Sequence, residues 1–218
     1  MPGGDQVTAR LEAVRRRIER AAGDRDPGSV AIVAVTKGQP AAACTAALAA
    51  GLSLLGENRV QEALAKMDQV PGAEWHLVGH LQTNKVRQAV FRFALIQSVD
   101  SLPLAQAVHA RNDRQPVLLE VNVAREAAKH GVSPEAAVDL AVQVAALLPL
   151  RGLMGMGPQP PADPRPAFRE LRRLRDAAEQ AMGRPLPVLS MGMSDDFETA
   201  VEEGSSMVRL GRILFGQR

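Results

Sequence analysis

Lys37 is the residue whose type and position in this sequence point most directly to chemistry. It ends an apolar, β-branched run, SVAIVAVTKGQP at residues 29–40, in which Gly38 and Pro40 would stop a strand. Parallel α/β folds place their sites at the carboxyl ends of such buried strands. A lysine held there, partly shielded from water, can add to a carbonyl carbon and form a Schiff base. The alternative is a lysine that only extends from the strand end into solvent.

A second group of residues, near the end of the chain, is suited to an anion. The segment SMGMSDD, residues 190–196, offers backbone N–H groups and the hydroxyl of Ser194, which is also a good N-cap for a following helix. In MVRLGR, residues 207–212, Arg209 alternates with two apolar residues and should point into the interior of the fold. Gly211 and Arg212 would form the other half of a phosphate cradle. An amine, a phosphate site and an arginine together fit a phosphorylated aldehyde, of which pyridoxal 5′-phosphate (PLP) is the common one.

A regular alternation of strand-like and helical segments must position these residues. After a helical pattern at Asp5–Ala22, β-rich runs occur at residues 29–40, 52–55, 75–79, 95–99, 116–123, 150–156, 188–191 and 207–210, and helical patterns separate them. Strands that alternate with helices predict a parallel sheet. Eight such units predict an α/β fold, a single-domain (β/α)8 TIM barrel with an extra N-terminal helix, and a doubly wound open sheet is the alternative. The N-terminal helix would cover the place where a full eighth helix normally packs.

Polar residues at other strand ends should reach the same place, because strand ends converge at the mouth of a barrel. The predicted second strand leads into Glu57 and Asn58, and the third leads into His80. Glu120 and Asn122 share one face of the predicted fifth strand and should point toward the mouth. For Glu120, a buried polar layer inside the barrel is an equally good interpretation.

Composition and charge exclude several classes of protein. Hydrophobic residues make up 46% of the chain, which predicts a packed globule, and a net charge of +2 with mixed signs does not favour nucleic acid. No apolar run approaches the roughly 20 residues that a membrane helix needs, and the N-terminus lacks a signal-peptide core. The lone Cys44 excludes an intramolecular disulfide. These features predict a cytoplasmic protein without nucleic-acid or membrane partners.

The histidines do not form a recognisable metal motif. His76 and His80 are four residues apart, but they fall on a strand and its exit loop rather than on one helix, and no further ligand cluster accompanies them. His109 and His130 are interpreted as surface residues. The sequence therefore predicts no metal site.

Seven stretches of the chain form a recognisable set: VAVTKGQP, LLGENRVQEALAK, WHLVGHLQTNKVR, SVDSLPLA, VLLEVNVAREAAKHGV, LRGLMGM and LSMGMSDDFETAVEEGSSMVRLGRILFG. They span nearly the whole chain. With them, the sequence resembles the PLP-binding homeostasis protein family, whose fold is similar to the N-terminal domain of alanine racemase. The resemblance implies one PLP-binding barrel domain over residues 1–218, of the class called fold type III.

The same resemblance implies a set of PLP-binding residues, which are Lys37, Asn58, Ser194, Arg209, Gly211 and Arg212. Lys37 would carry PLP as a Schiff base. Ser194, Gly211 and Arg212 would lie around the phosphate. Arg209 would face the pyridine nitrogen, and Asn58 would lie near the ring.

The family resemblance also implies a function in intracellular PLP (vitamin B6) homeostasis, in which the protein binds, buffers and delivers PLP without catalytic residues. PLP-dependent apo-enzymes would be the recipients, and a monomer is expected. Alanine racemase-like enzymes use a tyrosine opposite the lysine and a C-terminal β-domain, whereas this sequence has no Tyr and ends with the barrel. The alternative is a PLP-dependent enzyme of the racemase or decarboxylase type that uses another acid, such as His80 or Cys44.

Overall fold

A closed barrel of eight parallel strands forms the centre of the molecule, which is described here for residues 4–126, 129–159 and 162–216 of a computed structural model. The strands are β1 (Ala31–Val35), β2 (Leu54–Glu57), β3 (Glu74–Leu77), β4 (Leu95–Val99), β5 (Val117–Val121), β6 (Leu150–Gly155), β7 (Val188–Ser190) and β8 (Met207–Leu210). They pair in chain order, and β8 closes the barrel on β1, with Ala31 opposite Met207 and Ala34 opposite Leu210. The predicted (β/α)8 barrel is confirmed, and the alternative of an open sheet is wrong.

Helices follow the strands and form an outer layer. They are α1 (Gly4–Ala22), α2 (Ala41–Ala49), α3 (Val60–Met67), α4 (Val86–Ala89), α5 (Leu102–His109), α6 (Ala137–Leu147), α7 (Arg165–Met182), α8 (Phe197–Glu202) and α9 (Arg212–Phe215). Short 3-10 turns at Pro27–Ser29, Thr83–Lys85 and Pro134–Ala136 precede β1, α4 and α6. Within the described ranges, no helix is both long enough and apolar enough to cross a membrane.

The two-residue alternation of the strands builds two apolar layers. Inside the barrel, the packed side chains are those of Val33, Leu95, Leu118, Met154 and Met207. The opposite strand faces pack against the helices through side chains such as Ala34, Leu55, Leu77, Ile96 and Leu119. A register slip of one residue would exchange the two faces of a strand, so this pattern fixes which polar side chains point inward.

The N-terminal helix α1 lies beside the seam between β8 and β1, where it contacts α2, α8 and α9. Its buried stripe is Val7, Leu11, Val14, Ile18 and Ala22, at the three-to-four-residue spacing of one helix face. Arg17 on its outer side donates to both carboxylate oxygens of Glu198 in α8. The sequence did not predict α9, but because α9 has only four residues, α1 takes the space of a full eighth helix as expected.

The boundaries of β1 and α8 differ from the prediction in ways that affect the site. Strand β1 ends at Val35, so Lys37 lies two residues beyond the strand, in a turn where Gly38 has a φ of 69°. Helix α8 begins at Phe197 rather than at Asp195, because residues 193–196 form a turn in which the Met193 N–H donates to Asp196 Oδ1 at 2.6 Å. The predicted loop after β5 includes residues 127 and 128, which lie outside the described residues.

Candidate functional site

A cavity of about 480 Å³ opens at the mouth of the barrel, where the carboxyl ends of the strands meet. All six residues predicted as a site line it: Lys37, Asn58, Ser194, Arg209, Gly211 and Arg212. Its volume falls in the range of about 300–1,000 Å³ that small-molecule sites occupy. The lining residues that sequence reasoning missed include Met156, Pro158 and Gln159. They come from the loop after β6, where no spacing or motif distinguishes a lining residue from any other loop residue.

A second cavity, of about 530 Å³, lies at the opposite end of the barrel. It is lined by residues at the starts of β1 and β2 and by α1 side chains such as Arg15, Arg16 and Glu19. Sites in (β/α)8 barrels are built at the carboxyl ends of the strands, whereas residues at the other end contribute to stability. The cavity at the mouth is therefore the candidate functional site.

Lys37 is exposed at the rim of the mouth cavity. The expectation of an amine partly shielded from water is wrong in this structure, since the chain leaves β1 before it reaches Lys37. The residues on either side are held firmly. Thr36 is fully buried, and the Gly38 N–H donates to Glu62 Oε1 in a short hydrogen bond. The turn is thus anchored on both sides of an accessible lysine.

The anchor is a buried network centred on Lys66 of α3. Lys66 Nζ donates to the Thr36 carbonyl oxygen at 2.9 Å, to Glu57 Oε1 at 2.7 Å and to Glu62 Oε1 at 2.9 Å. The Thr36 hydroxyl also donates to Glu57 Oε1, at 2.6 Å. Burial alone would lower the pKa of Lys66, but the bonds and charges of both glutamates outweigh it and raise that pKa. Lys66 is therefore a charged group that ties the Lys37 turn to α3.

Glu57 therefore does not point into the mouth of the barrel, contrary to the sequence-based expectation. It lies on the outer face of β2 with Leu55, because the two residues are two positions apart on the strand. Asn58, the next residue, does line the cavity. Its backbone packs closely on the segment that follows β3, since a Cβ at Gly79 would lie 2.4 Å from the Asn58 carbonyl oxygen.

The ends of β7 and β8 meet at the other side of the cavity. The Ile213 N–H donates to Ser194 Oγ at 3.3 Å, which joins the two predicted halves of the anion cradle. Gly192 has a φ of 96°, and a Cβ there would lie 2.6 Å from the Ala200 Cβ, so only glycine fits this turn. Ser194 does not cap α8 as expected, because that helix starts three residues later. Its hydroxyl faces the β8 end instead.

The exposed guanidinium of Arg212 forms a short ion pair with Asp195 on the same rim of the cavity. Gly211 lies against β1, and a Cβ there would be 3.2 Å from the Val35 carbonyl oxygen. A small residue is therefore needed where the β8 exit passes the base of the Lys37 turn. The two predicted groups, the lysine and the cradle, adjoin one another in the folded chain.

Arg209 points into the barrel, as its alternation with Val208 and Leu210 predicted. One guanidinium nitrogen, Nη1, donates to the carbonyl oxygen and to Oγ of Ser190, both at 2.8 Å, and Nη2 donates to the Gly155 carbonyl oxygen at 3.0 Å. Burial lowers the pKa of Arg209 to about 10, with the charges of Glu120 and Asp196 acting in the opposite direction. The side chain thus remains a cation at neutral pH and lies beside the cavity.

A polar layer continues from Arg209 into the barrel. Ser190 Oγ donates to Gln97 Oε1 at 2.7 Å, and Gln97 Nε2 lies 2.9 Å from His76 Nδ1. Burial lowers the pKa of His76 to about 4, so its ring is neutral and Nδ1 accepts from Gln97. Glu120 belongs to the same layer: it is 3% exposed, and burial together with the charge of Asp100 raises its pKa to about 7. Glu120 therefore fits the buried-layer interpretation.

Asn122 lies just past the end of β5. Its Nδ2 donates to the carbonyl oxygens of Glu126 and Lys129, at 2.9 and 3.2 Å, so it orders the loop after β5. Asn122 thus holds the loop and does not line the described part of the cavity.

The two side chains considered as alternative acids lie elsewhere. Cys44 is fully buried in the outer core, where burial raises the pKa of its thiol and a hydrogen bond with Thr36 opposes the rise. His80 contacts Asp100 instead, with Nδ1 3.3 Å from Oδ2. Neither is among the described residues that line the mouth cavity.

Comparison with known proteins identifies relatives of this chain. The family model described as alanine racemase, N-terminal domain, matches residues 9–218. The pyridoxal phosphate homeostasis protein of Pseudomonas aeruginosa is 42% identical over 221 residues, which cover 96% of this chain and 94% of that protein. The protein of the same name from Aquifex aeolicus is 40% identical, with 98% of this chain and 97% of that protein covered.

Solved structures agree with these relatives. PipY of Synechococcus elongatus, solved with PLP bound, is 35% identical, with a TM-score of 0.82 and coverage of 96% of this chain and all of PipY. Alanine racemase of Corynebacterium glutamicum shares the fold at a TM-score of 0.75 and 18% identity, with 98% of this chain and 61% of that chain covered. The chain therefore belongs to the alanine racemase N-terminal domain family and, within it, to the pyridoxal phosphate homeostasis proteins.

Proposed function

We propose that this chain is a PLP-binding barrel domain over residues 1–218 that holds PLP as a Schiff base on Lys37 and acts in PLP homeostasis. The observation that carries the proposal is the meeting of Lys37, Arg209 and the Ser194–Ile213 cradle around one cavity of suitable volume. The relatives named for PLP homeostasis and PipY with PLP bound support the choice of ligand.

The residues of the cavity fit the parts of PLP. When bound, PLP supplies an aldehyde carbon that condenses with amines, and the amine here would be that of exposed Lys37. Ser194 and the backbone of residues 211–212 would hold the phosphate, next to the Arg212 guanidinium. Asn58 would lie beside the ring. Arg209 would face the ring nitrogen, where its charge opposes protonation.

We further propose that the protein carries and buffers PLP without catalysis. A racemase moves a proton with two groups on opposite faces of its substrate, and this chain has no tyrosine for the second group. Neither Cys44 nor His80, the two substitutes considered from sequence, is among the described residues that line the cavity, which supports this proposal. The carrier would act in the cytoplasm as a monomer and deliver PLP to PLP-dependent apo-enzymes.

Borohydride trapping tests the attachment. Reduction of the purified chain should fix the pyridoxyl mass on the peptide that contains Lys37, and the Lys37→Ala variant should lose both the label and the visible absorbance. Lys85→Ala is the matched control, since Lys85 lies in the turn after β3 and outside the described lining. A label that stays on the chain in Lys37→Ala, or appears on Lys85 or Lys129, would contradict the proposal.

Proton exchange separates the carrier from the enzyme. The protein is incubated with L-alanine in deuterated water, and α-proton exchange and chirality are followed by NMR; we expect neither to change at an enzymatic rate. Among the described acids we would examine Asp196, because it lines the cavity. Burial raises the pKa of its carboxyl, while the hydrogen bond from the Met193 N–H and the charge of Arg209 act to lower that pKa. Exchange that is lost in both Lys37→Ala and Asp196→Asn would establish the racemase-type alternative.

A further inference from the structure

Three side chains that the proposed function does not use lie together at another part of the barrel mouth. His80 follows β3, Asp100 follows β4, and His130 lies in the loop after β5. One ring nitrogen of each histidine and one carboxylate oxygen of Asp100 lie within 4.8 Å of one another. We propose that His80, Asp100 and His130 form a binding site for a divalent transition-metal ion, for which Zn²⁺ is the best-suited candidate.

The distances are close to those of a zinc site. In a tetrahedral site with ligand distances of about 2.0–2.1 Å, neighbouring ligand atoms are about 3.3–3.4 Å apart. His80 Nδ1 and Asp100 Oδ2 are 3.3 Å apart, so this pair already has the required separation. The ligand atoms of all three residues lie within 4.8 Å of one another, so a movement of less than about 2 Å brings the His130 nitrogen to that separation.

His130 would supply that movement. Its ring is stacked on the ring of His80, with the centroids 4.0 Å apart and 10° between the planes. The lone pairs of imidazole nitrogens lie in the ring planes, and two parallel planes do not meet at one ion, so one ring must turn before both can point at it. His130 is exposed, so its side chain can change rotamer without displacing packed neighbours.

The ligand types select the class of metal. Two imidazole nitrogens and one carboxylate oxygen suit zinc, and the same set with open positions suits ferrous iron, whereas soft Cu(I) prefers sulfur ligands. Three protein ligands leave a fourth tetrahedral position for water or an anionic group at the mouth of the barrel. The sequence indicated no further ligand cluster beside His80, whereas the folded chain brings Asp100 and His130 close to it. His76 does not belong to this group, because its ring is buried against Gln97.

The surroundings favour a cation. The buried carboxyl of Glu120 interacts with the charge of Asp100, and its Oε2 has no hydrogen-bond partner in the described parts of the chain. A dication bound to Asp100 would offset the repulsion between these two carboxyl groups. None of the three ligands is among the described residues lining the 480 Å³ cavity, so the proposal does not rest on PLP binding.

Zinc titration of the full chain tests the site. Isothermal titration calorimetry should give one Zn²⁺ per chain, and Co²⁺ in its place should give visible absorption bands. His130→Ala and Asp100→Asn should bind Zn²⁺ at least tenfold more weakly. His109→Ala is the matched control, because His109 is also exposed but lies at the end of α5, and it should bind as the wild type does.

Metal bound by these three side chains must also be distinguished from metal bound by the cofactor. PLP itself chelates metals, so Lys37→Ala should retain the one Zn²⁺, and its loss in that variant would assign the metal to the cofactor and overturn the proposal. Wild-type zinc binding in His130→Ala and Asp100→Asn, with unchanged circular dichroism, would also overturn it. So would the absence of stoichiometric zinc binding by the wild type.

Discussion

Replacing Lys66 with methionine should lower the free energy of unfolding by about 3–5 kcal/mol, the usual cost of breaking a buried ion pair. The Lys66 side chain is 9% exposed, and that of Glu57 is fully buried. Methionine has a similar length but leaves the Glu57 carboxylate in the interior without its cation. The Thr36 hydroxyl would still donate to one oxygen of Glu57, but it carries no charge, and the other oxygen lacks a hydrogen-bond partner among the described residues. Urea unfolding at neutral pH measures the change.

The same substitution should affect the attachment of PLP. Lys66 holds the Thr36 carbonyl directly and also holds Glu62, which accepts the Gly38 N–H. Its loss removes one hydrogen bond on the Thr36 side and weakens the positioning of the acceptor on the Gly38 side. A displacement of about 1 Å at a reacting group costs up to about 100-fold in rate. We expect the visible absorbance to rise about 10–100-fold more slowly when PLP is added to the PLP-free variant.

Two control variants decide whether the buried network has this role. Arg92→Met breaks an ion pair with Asp68 whose side chains are 44% and 83% exposed, and it should cost less than about 1 kcal/mol. The double variant Glu57→Met, Lys66→Met should recover much of the lost stability, since it removes both buried charges, yet it should still bind PLP slowly. A Lys66→Met variant as stable as Arg92→Met, or a double variant less stable than the single one, would refute this role of the network.

Three further predictions concern the cradle and the polar layer. Ser194→Ala should weaken PLP binding about tenfold or more, because a hydrogen bond to a charged group contributes about 1.5–3 kcal/mol; pyridoxal, which lacks the phosphate, should bind as before, and equal losses would place Ser194 away from the phosphate. Burial lowers the pKa of His76 from 6.5 to about 4, so between these values the unfolded chain takes up a proton that the folded chain does not. The free energy of unfolding should therefore fall by about 3 kcal/mol as the pH drops through this window, and His76→Gln should abolish that loss. Burial raises the pKa of Glu120 from 4.5 to about 7, so the folded chain keeps a proton that the unfolded chain releases. Stability should fall by about 3 kcal/mol as the pH rises from 4.5 to 7, and a Glu120→Gln variant with the same slope would contradict the assignment.

The architecture and much of the mouth cavity were predictable because they depend on local pattern. The β-branched runs at residues 95–99 and 207–210 are strands with those bounds. Along β8, alternation with Val208 and Leu210 placed Arg209 inside the barrel, where the structure has it. Lys37 and Ser194 line the same cavity because parallel strands bring all of their carboxyl ends to one edge of the sheet.

The contacts that were not predicted depend on shifts of one or two residues and on distant loops. The second strand was expected at residues 52–55 but lies at Leu54–Glu57, so Glu57 follows Leu55 outward instead of entering the mouth. The Glu62 and Lys66 spacing of four is common on exposed helices, and nothing local indicates that Lys66 reaches the Thr36 carbonyl. The cluster of His80, Asp100 and His130 joins three different strand exits, so no short motif reveals it.

The way charge is arranged around Lys37 and Arg209 supplies a physical reason for the proposed binding of PLP without turnover. The Lys37 turn is held by Lys66, while Lys37 itself is exposed at the rim of the cavity, so in the proposed function an aldehyde would reach this residue from solvent. Arg209 is fixed by Ser190 and by the Gly155 carbonyl, independently of any ligand, so its cation is already in place when a ring arrives. A ring nitrogen that faces this cation resists protonation and withdraws electrons only weakly. Carbanion chemistry would then need two well-placed bases, and beside Lys37 the sequence offers no tyrosine to be the second. The deuterium exchange assay with L-alanine tests this role of Arg209, with Arg212→Gln as the control. We expect Arg209→Gln to increase the exchange rate and Arg212→Gln to leave it unchanged. Exchange rates that stay unchanged in both variants would rule out this role.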